Sequence, residues 1–159
     1  MKSFMKIISL VLLLLLFVSC SSNNKINNTT YETNITQSGD EIMNKALVLK
    51  IDNKEVEVNW NDNESIKDLK SISKNGLNIN MSKYGGFEQV GSLGQKIKSN
   101  DTRITTEPGD IVLYSSNQIV IFYGSNTWEY TKLGHINLTK DELTILLGND
   151  DVVINIGLK

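Results

Sequence analysis

The residues of this chain that could bind a ligand lie mainly between residues 84 and 136. Tyr84 and Phe87 flank two glycines, and two more glycines follow at Gly91 and Gly94. Glycines let a ligand approach the backbone closely, and aromatic rings can stack on that ligand. The same glycines can instead turn a long loop while the aromatic side chains fill the core. Both interpretations of this segment stay open at the level of sequence.

Arg103 is the only arginine of the chain. A guanidinium on a strand that leads into a polar turn could bind a carboxylate through two parallel hydrogen bonds. The structural alternative is an ion pair with Asp101, Glu107 or Asp110 that fixes the turn. Arg103 is therefore a candidate either for charge recognition or for turn stabilisation.

Several further aromatic residues could line one groove, although aromatic side chains in a small β domain also fill the core. They are Tyr114, Tyr123, Trp128 and Tyr130. No residue is assigned as catalytic. The predicted ligand-binding residues are Tyr84, Phe87, Arg103, Tyr123 and Trp128.

The sequence offers little for a catalytic, metal or nucleic-acid site. His135, the only histidine, would have to be the base of a Ser-His-Asp triad, but no G-x-S-x-G motif is present. Asp150 and Asp151 belong to no metal-ligand spacing, and the Gly91–Gly94 segment lacks the lysine of a phosphate-binding loop. A single arginine and a net charge of −2 do not match a nucleic-acid surface. We expect no cofactor, no metal and no nucleic-acid partner.

Residues 1–19 are typical of a bacterial lipoprotein signal peptide. Lys2 and Lys6 precede an apolar run, 7–18, that is shorter than the about 20 residues needed to span a bilayer. The next residues complete Phe17-Val18-Ser19-Cys20, which resembles a lipobox, although Leu is usual where Phe17 stands. The alternatives are an ordinary signal peptide with an unrelated cysteine, or an uncleaved anchor. The pattern predicts cleavage before Cys20.

Lipidation of Cys20, with palmitate among the acyl groups, would hold the protein at a membrane. Two acyl chains anchor a protein durably, whereas one binds only marginally. Cys20 is the only cysteine, so no disulfide can form within the chain. Residues 20–44 are polar without a hydrophobic period and are predicted to be a disordered tether. The expected location is extracytoplasmic, at the cell surface or on the periplasmic side.

Residues 45–159 are predicted to form one mainly β domain, which fits a chain of 159 residues that is 40% hydrophobic. Two runs at 46–51 and 55–60, the second of which alternates, predict one hairpin. Two runs of β-branched and aromatic residues, 111–114 and 119–123, predict another, and Pro108-Gly109 predicts a type II turn before it. Helices are predicted after the second strand and, through a Thr139–Glu142 capping box, before the last. About eight short strands with two helices predict a closed or nearly closed eight-stranded β-barrel with two capping helices. The strands are expected at 46–51, 55–60, 77–82, 103–105, 111–114, 119–123, 128–136 and 152–156. Gly134 either weakens the middle of the strand 128–136 or marks a bulge in it.

Several segments together resemble the bacterial cyclophilin-like domain family over about Ala46 to Ile156. These segments are 84–88, 91–94, 101–114 and 119–124. The resemblance implies a cyclophilin-type barrel with two capping helices, in a family whose members are often secreted or lipid-anchored and have no established activity. True cyclophilins use an arginine beside a phenylalanine for prolyl isomerisation, in motifs that this chain lacks.

The sequence thus favours a lipid-anchored, non-enzymatic domain that binds a peptide or a small ligand in a groove. The alternative is a divergent peptidyl-prolyl isomerase that assists the folding of secreted proteins, with Arg103 polarising the prolyl amide. That alternative requires the Arg103 side chain to point into an open groove beside an aromatic ring. A third interpretation, a structural envelope protein without a ligand, requires that no pocket be present.

Overall fold

The computed structural model describes residues 41–159, in which eleven strands and two helices follow a helical turn at 41–44. The predicted signal peptide, Cys20 and most of the predicted tether lie outside these residues. No helix in the described part is long and apolar enough to cross a membrane. The elements are β1 (Leu47–Ile51), β2 (Lys54–Val56), β3 (Val58–Trp60), α1 (Glu64–Ile72), β4 (Leu77–Asn80), β5 (Ser82–Tyr84), β6 (Glu88–Ser92), β7 (Thr102–Thr105), β8 (Asp110–Tyr114), β9 (Gln118–Phe122), β10 (Thr127–Ile136), α2 (Lys140–Leu147) and β11 (Val153–Leu158).

The strands form two antiparallel sheets. The smaller sheet has the order β2-β1-β11-β4, and the larger has the order β3-β10-β8-β9-β6-β5 with β7 paired to β10. The mainly β class is confirmed. The predicted eight-stranded closed barrel is wrong, because the sheets do not close into one barrel and the strands number eleven. The helical segments also outnumber the two predicted, since residues 41–44 are helical as well.

Two of the predicted strands are each divided between the sheets. Glu57 interrupts the second strand of the predicted first hairpin, so that β2 pairs with β1 while β3 pairs with β10. Met81 interrupts the next segment in the same way, with β4 on β11 and β5 on β6. A third additional strand, β6, lies in the segment that was interpreted as a glycine loop. The periodicity of residues along one strand does not reveal that the strand changes its partner, which explains the undercount.

The local signals around Pro108 and the second helix are confirmed. Gly109 has φ +99°, and the amide of Asp110 donates to the carbonyl of Glu107 at 3.0 Å, as a type II turn requires. At the start of α2, the Thr139 hydroxyl accepts from the amide of Glu142, whose carboxylate accepts from the amide of Thr139. These contacts fix where the hairpin and the helix begin.

The two faces of the larger sheet have different roles. Ile111, Leu113, Ile119 and Ile121 point to the main core, which also takes residues from the smaller sheet and from both helices. The alternate residues of the same strands point to the opposite face, which we call the outer face. There a second buried cluster forms from Val112, Val120, Phe122 and Tyr130.

Candidate functional site

A cavity of about 390 Å³ opens on the outer face of the larger sheet, and we call it the aromatic cleft. Its volume lies in the range of small-ligand pockets, about 300 to 1,000 Å³. Its presence is at odds with an envelope protein that has no pocket. The cleft is lined by Tyr84, Glu88, Val90, Tyr114, Gln118, Val120, Asn126, Trp128 and Tyr130.

Strand register brings these lining residues together. Val90 of β6 lies opposite Val120 of β9, and Gln118 of β9 lies opposite Tyr114 of β8. Glu88 precedes Val90 by two residues and therefore shares its face. Adjacent strands thus carry one continuous row of apolar and polar side chains into the cleft.

The aromatic wall of the cleft is built around Tyr130. Its ring meets those of Tyr114 and Phe122 edge to face, with centroid distances of 5.9 and 5.7 Å and an interplanar angle of 68° in both pairs. The side-chain amide of Asn126 donates to the Tyr130 hydroxyl at 3.1 Å. Tyr130 is thereby held in place at the base of the wall.

The rim of the cleft carries rings that are open to solvent. Tyr84 is 67% exposed, Trp128 52% and Tyr114 36%. Exposed rings at the mouth of a cavity can contact a ligand without first leaving the core. These three side chains are therefore available for recognition.

Glu88 is the one carboxylate in the lining of the cleft, and it is 6% exposed. Its Oε2 atom is buried and has no hydrogen-bond partner among the described residues. Burial raises the pKa of Glu88 to about 7. Burial and the charge of Glu88 together also raise the pKa of Tyr130. A buried carboxyl group without a partner is costly to retain, which makes this cleft the strongest candidate for a ligand site in the described part of the chain.

The predicted ligand-binding residues are distributed over different parts of the domain. Tyr84 and Trp128 line the aromatic cleft. Phe87 is partly buried and stacks on Phe122, with centroids 6.4 Å apart and planes 6° apart, so it supports the wall from behind. Tyr123 belongs to the main core.

Arg103 lies on β7 and is exposed. It pairs in register with Glu129 of β10, and it lines neither the aromatic cleft nor the polar cavity described below. Within residues 41–159 it forms no ion pair with Asp101, Glu107 or Asp110. Arg103 therefore does not share the cleft with the predicted site residues that line it.

The glycines after Tyr84 form a tight hairpin turn between β5 and β6. Gly85 and Gly86 have φ of +60° and +76°, and the Phe87 amide donates to the Tyr84 carbonyl at 3.3 Å. Positive φ at both central positions is typical of hairpin turns, and glycine adopts it freely. The interpretation of residues 84–94 as a loop is therefore wrong, since five of them form β6.

Glu88 was not among the predicted site residues. The signal that could have found it is the alternation in Glu88-Gln89-Val90, which places a carboxylate on the same face as a valine. Gln89 faces the other way, and its side-chain amide donates to the carbonyls of Leu147 and Asp150 at 2.7 Å each. The neighbouring glycines concealed this strand pattern.

A second cluster of charged groups surrounds Asp110 near the Pro108 turn. Its Oδ1 atom lies 2.8 Å from Nδ1 of His135 and 2.9 Å from Nζ of Lys132, and its Oδ2 accepts from the Glu107 amide at 3.1 Å. Burial alone would raise the pKa of Asp110, but these hydrogen bonds outweigh it and lower the pKa. In the described part of the chain His135 contacts no hydroxyl through a hydrogen bond, so the cluster is not a Ser-His-Asp triad. Its evident role is to fix the turn against β10.

A larger polar cavity of about 740 Å³ lies at the start of α1. Its charges largely compensate one another, because Glu64 binds both Lys67 and Lys98, at 2.6 and 3.1 Å. Residues 41–159 contain no group of three or more potential metal ligands. These three charged side chains of the polar cavity therefore already have partners, whereas the carboxyl group of the aromatic cleft has none among the described residues.

Comparison with solved structures supports the fold. The structure of McbB in complex with tryptophan is similar to this chain with a TM-score of 0.55 and 8% sequence identity. The match covers 72% of this chain and 45% of that chain, so this protein spans less than half the length of McbB. At that identity the similarity concerns the fold alone. A search of curated proteins finds no match.

The family model described as the cyclophilin-like family matches residues 49–157. This range runs from β1 to β11 and includes the whole aromatic cleft. It agrees with the resemblance found from residues 84–124, although the sheets are not closed into a barrel. The chain belongs to the cyclophilin-like family.

Proposed function

We propose that this protein is a lipid-anchored, extracytoplasmic domain that binds a peptide or a small ligand in the aromatic cleft without transforming it. The observation that carries the proposal is the cleft itself. It combines exposed rings at the rim, Tyr84, Tyr114 and Trp128, with a buried and unpartnered carboxyl group, Glu88, beneath them. Apolar walls with a few polar groups at fixed places are the usual composition of a binding pocket.

Binding is favoured over catalysis by the small number of reactive groups in the cleft. General acid–base chemistry needs a donor and an acceptor within reach of one reacting atom. Among the described residues, the lining holds one carboxyl group, three phenols and no histidine, lysine or arginine. Burial raises the pKa of the Tyr130 phenol, which makes it a weaker acid than an ordinary tyrosine. The Asp110 cluster has no nucleophile bonded to His135 in residues 41–159. The isomerase alternative gains no support, since Arg103 does not line the cleft.

The binding test uses the full-length protein in detergent micelles and saturation-transfer NMR. The panel contains neutral, anionic and cationic small molecules together with short peptides. We expect at least one class to bind, and we expect Trp128→Ala and Tyr114→Ala to weaken that binding at least about tenfold, because each removes a ring from the rim. Ile145→Ala is the matched control, since Ile145 is 74% exposed on α2 and lies outside the cleft. Binding of no panel member, or equal binding by the rim variants, would overturn the proposal.

The membrane anchor is tested separately. Its support is the lipobox-like Phe17-Val18-Ser19-Cys20 after an apolar run. Mass spectrometry of the mature N-terminus should find a diacylated Cys20, and Cys20→Ser should remove the lipid and release the protein from the membrane fraction. An unmodified Cys20 in the membrane-bound protein would reject the anchor and leave the cleft unaffected.

A further inference from the structure

We infer that the aromatic cleft binds an organic ammonium ion, with the carboxylate of Glu88 as its counter-ion and the surrounding rings as its walls. This inference rests on the proposed function, because it names the chemical class of the ligand that the cleft accepts. It is carried by charge, by the nature of the walls and by the absence of a competing cation within the lining.

The charge of Glu88 is not balanced by the residues around it. Among the residues that the structure describes, the lining of the cleft contains no lysine, arginine or histidine. Lys83 is close along the chain, but it lies opposite Gln89 rather than Glu88, and its ammonium donates to the Asn149 carbonyl at 3.0 Å. An ionised carboxylate buried without a partner costs several kcal/mol in general, so a cation that enters the cleft relieves that cost.

The walls suit a cation that carries alkyl groups. Tyr84, Tyr114, Trp128 and Tyr130 all line the cleft, and a cation within about 6 Å of an aromatic ring is attracted to the face of that ring. Quaternary ammonium groups are the cations that aromatic cages typically recognise, whereas a primary ammonium is strongly hydrated. A metal ion would need several oxygen ligands, but the described residues contain no cluster of three or more potential ligands.

The other titratable groups near Glu88 are phenols. Tyr84, Tyr114 and Tyr130 line the cleft, and Tyr123 lies close enough for the charge of Glu88 to add to burial in raising its pKa. The charge of Glu88 likewise adds to burial at Tyr130. Both phenols therefore stay neutral at pH 6 to 8, and Glu88 is the group whose charge changes in that range. Burial raises the pKa of Glu88 to about 7, so a permanent cation should bind more tightly above that pH and less tightly below it.

The decisive experiment is isothermal titration calorimetry of the full-length protein with choline and with 3,3-dimethylbutan-1-ol. The alcohol has nearly the shape of choline but no charge. We expect choline to bind at pH 8 at least about tenfold more tightly than the alcohol, and about tenfold more tightly at pH 8 than at pH 6. Glu88→Gln should abolish the difference between the two pH values and weaken the preference for choline to what the rings alone provide. Glu129→Gln removes the same charge from an exposed residue outside the cleft and should change neither.

A second pair of probes distinguishes a free ammonium compound from a side chain. A tripeptide with a central trimethyllysine is compared with the same peptide carrying norleucine. Preference for choline identifies a free small cation, and preference for the trimethyllysine peptide identifies a side chain. Either outcome supports the inference, provided that Glu88→Gln weakens the preference for the charged probe.

Failure of this inference can be told apart from failure of the proposed function. If neutral or anionic compounds bind the cleft and Glu88→Gln binds them equally well, the cleft is a binding site but not one for cations. If no compound of any class binds, the proposed function fails and the inference fails with it. Choline binding that is as tight and as pH-dependent in Glu88→Gln as in the wild type would also overturn the role assigned to Glu88.

Discussion

Glu88 lies directly opposite Phe122 on the neighbouring strand, so a carboxyl group and a fully buried ring share one face of the larger sheet. Burial raises the pKa of Glu88 from 4.5 to about 7. The folded state therefore binds this proton more tightly than the unfolded state does. The contribution of Glu88 to stability consequently falls as the pH rises from about 4.5 to about 7 and stays constant above that range. The full change corresponds to about 3 kcal/mol.

Replacing Glu88 by glutamine should remove this pH dependence. We expect Glu88→Gln to increase the free energy of unfolding relative to the wild type by up to about 3 kcal/mol more at pH 8 than at pH 4, because glutamine never carries the buried charge. Urea unfolding at the two pH values measures the difference, and exposed Glu129→Gln should show almost none. If Glu88→Gln changed the free energy of unfolding by the same amount at both pH values, the pKa of Glu88 would not be raised in the folded state.

The Asp110 cluster should show the opposite pH dependence. His135 and Lys132 hold the pKa of Asp110 below its ordinary value of 3.8, so its contribution to stability is present above that pH and is lost as the pH falls through the lower, folded value. We expect Asp110→Asn to cost about 2 kcal/mol at pH 7, because the side chain of Asp110 is buried, the substitution removes its negative charge, and an NH2 group replaces one of its two acceptor oxygens.

The control for Asp110 is Glu55→Gln, which removes an exposed ion pair with Lys159. Exposed pairs contribute little, so the loss of stability in Glu55→Gln should be much smaller than that in Asp110→Asn. Chemical denaturation at pH 7 and pH 3 measures both variants. If Asp110→Asn were no more costly than Glu55→Gln, the cluster would not fix the turn.

Gly86 and Gly109 both have positive φ, but only Gly109 lies close to other atoms. Alanine variants at the two positions therefore distinguish the stability cost of an unfavourable backbone conformation from the cost of a steric contact. At Gly86, φ is +76° and a Cβ atom would meet nothing within 4 Å, so Gly86→Ala should cost about 1 kcal/mol through conformation alone. At Gly109, φ is +99° and a Cβ atom would lie 2.8 Å from the Ile136 carbonyl oxygen. Gly109→Ala should therefore cost about 3 kcal/mol or more. Thermal unfolding of the two variants tests this order, and equal losses would contradict the close contact.

The sequence predicted the features that depend on a few neighbouring residues. The turn at Pro108-Gly109 and the Thr139–Glu142 capping box are both present, because each depends on bonds within four residues. The bulge proposed at Gly134 is also present, where the register of β10 against β8 shifts between Lys132 and Gly134. Such local patterns are predictable because the residues that cause them are close together in the sequence.

Features that depend on distant partners were not predictable in the same way. Nothing in the alternation of residues 55–60 shows that Val56 pairs with Leu49 while Trp60 pairs with Gly134. The same holds for the site. Tyr84 and Trp128 were predicted by residue type, but the place of Glu88 beneath them depends on the pairing of β6 with β9, which the adjacent glycines concealed.

The last prediction concerns Arg103 and prolyl isomerisation. An arginine can polarise a prolyl amide only if its side chain reaches the bound peptide, and Arg103 is exposed on β7 outside the cleft. We therefore expect no catalysis by the full-length protein. The cis–trans exchange of Xaa-Pro peptides should keep its uncatalysed time scale of about tens to hundreds of seconds. NMR exchange spectroscopy measures this rate, with a buffer blank as the reference. Arg103→Ala should change neither the exchange rate nor choline binding, and its stability should stay within about 0.5 kcal/mol of the wild type because the residue is exposed. Exchange that is catalysed by the wild type and lost in Arg103→Ala would instead make the protein a folding enzyme, with its peptide site on the face of β7 rather than in the aromatic cleft.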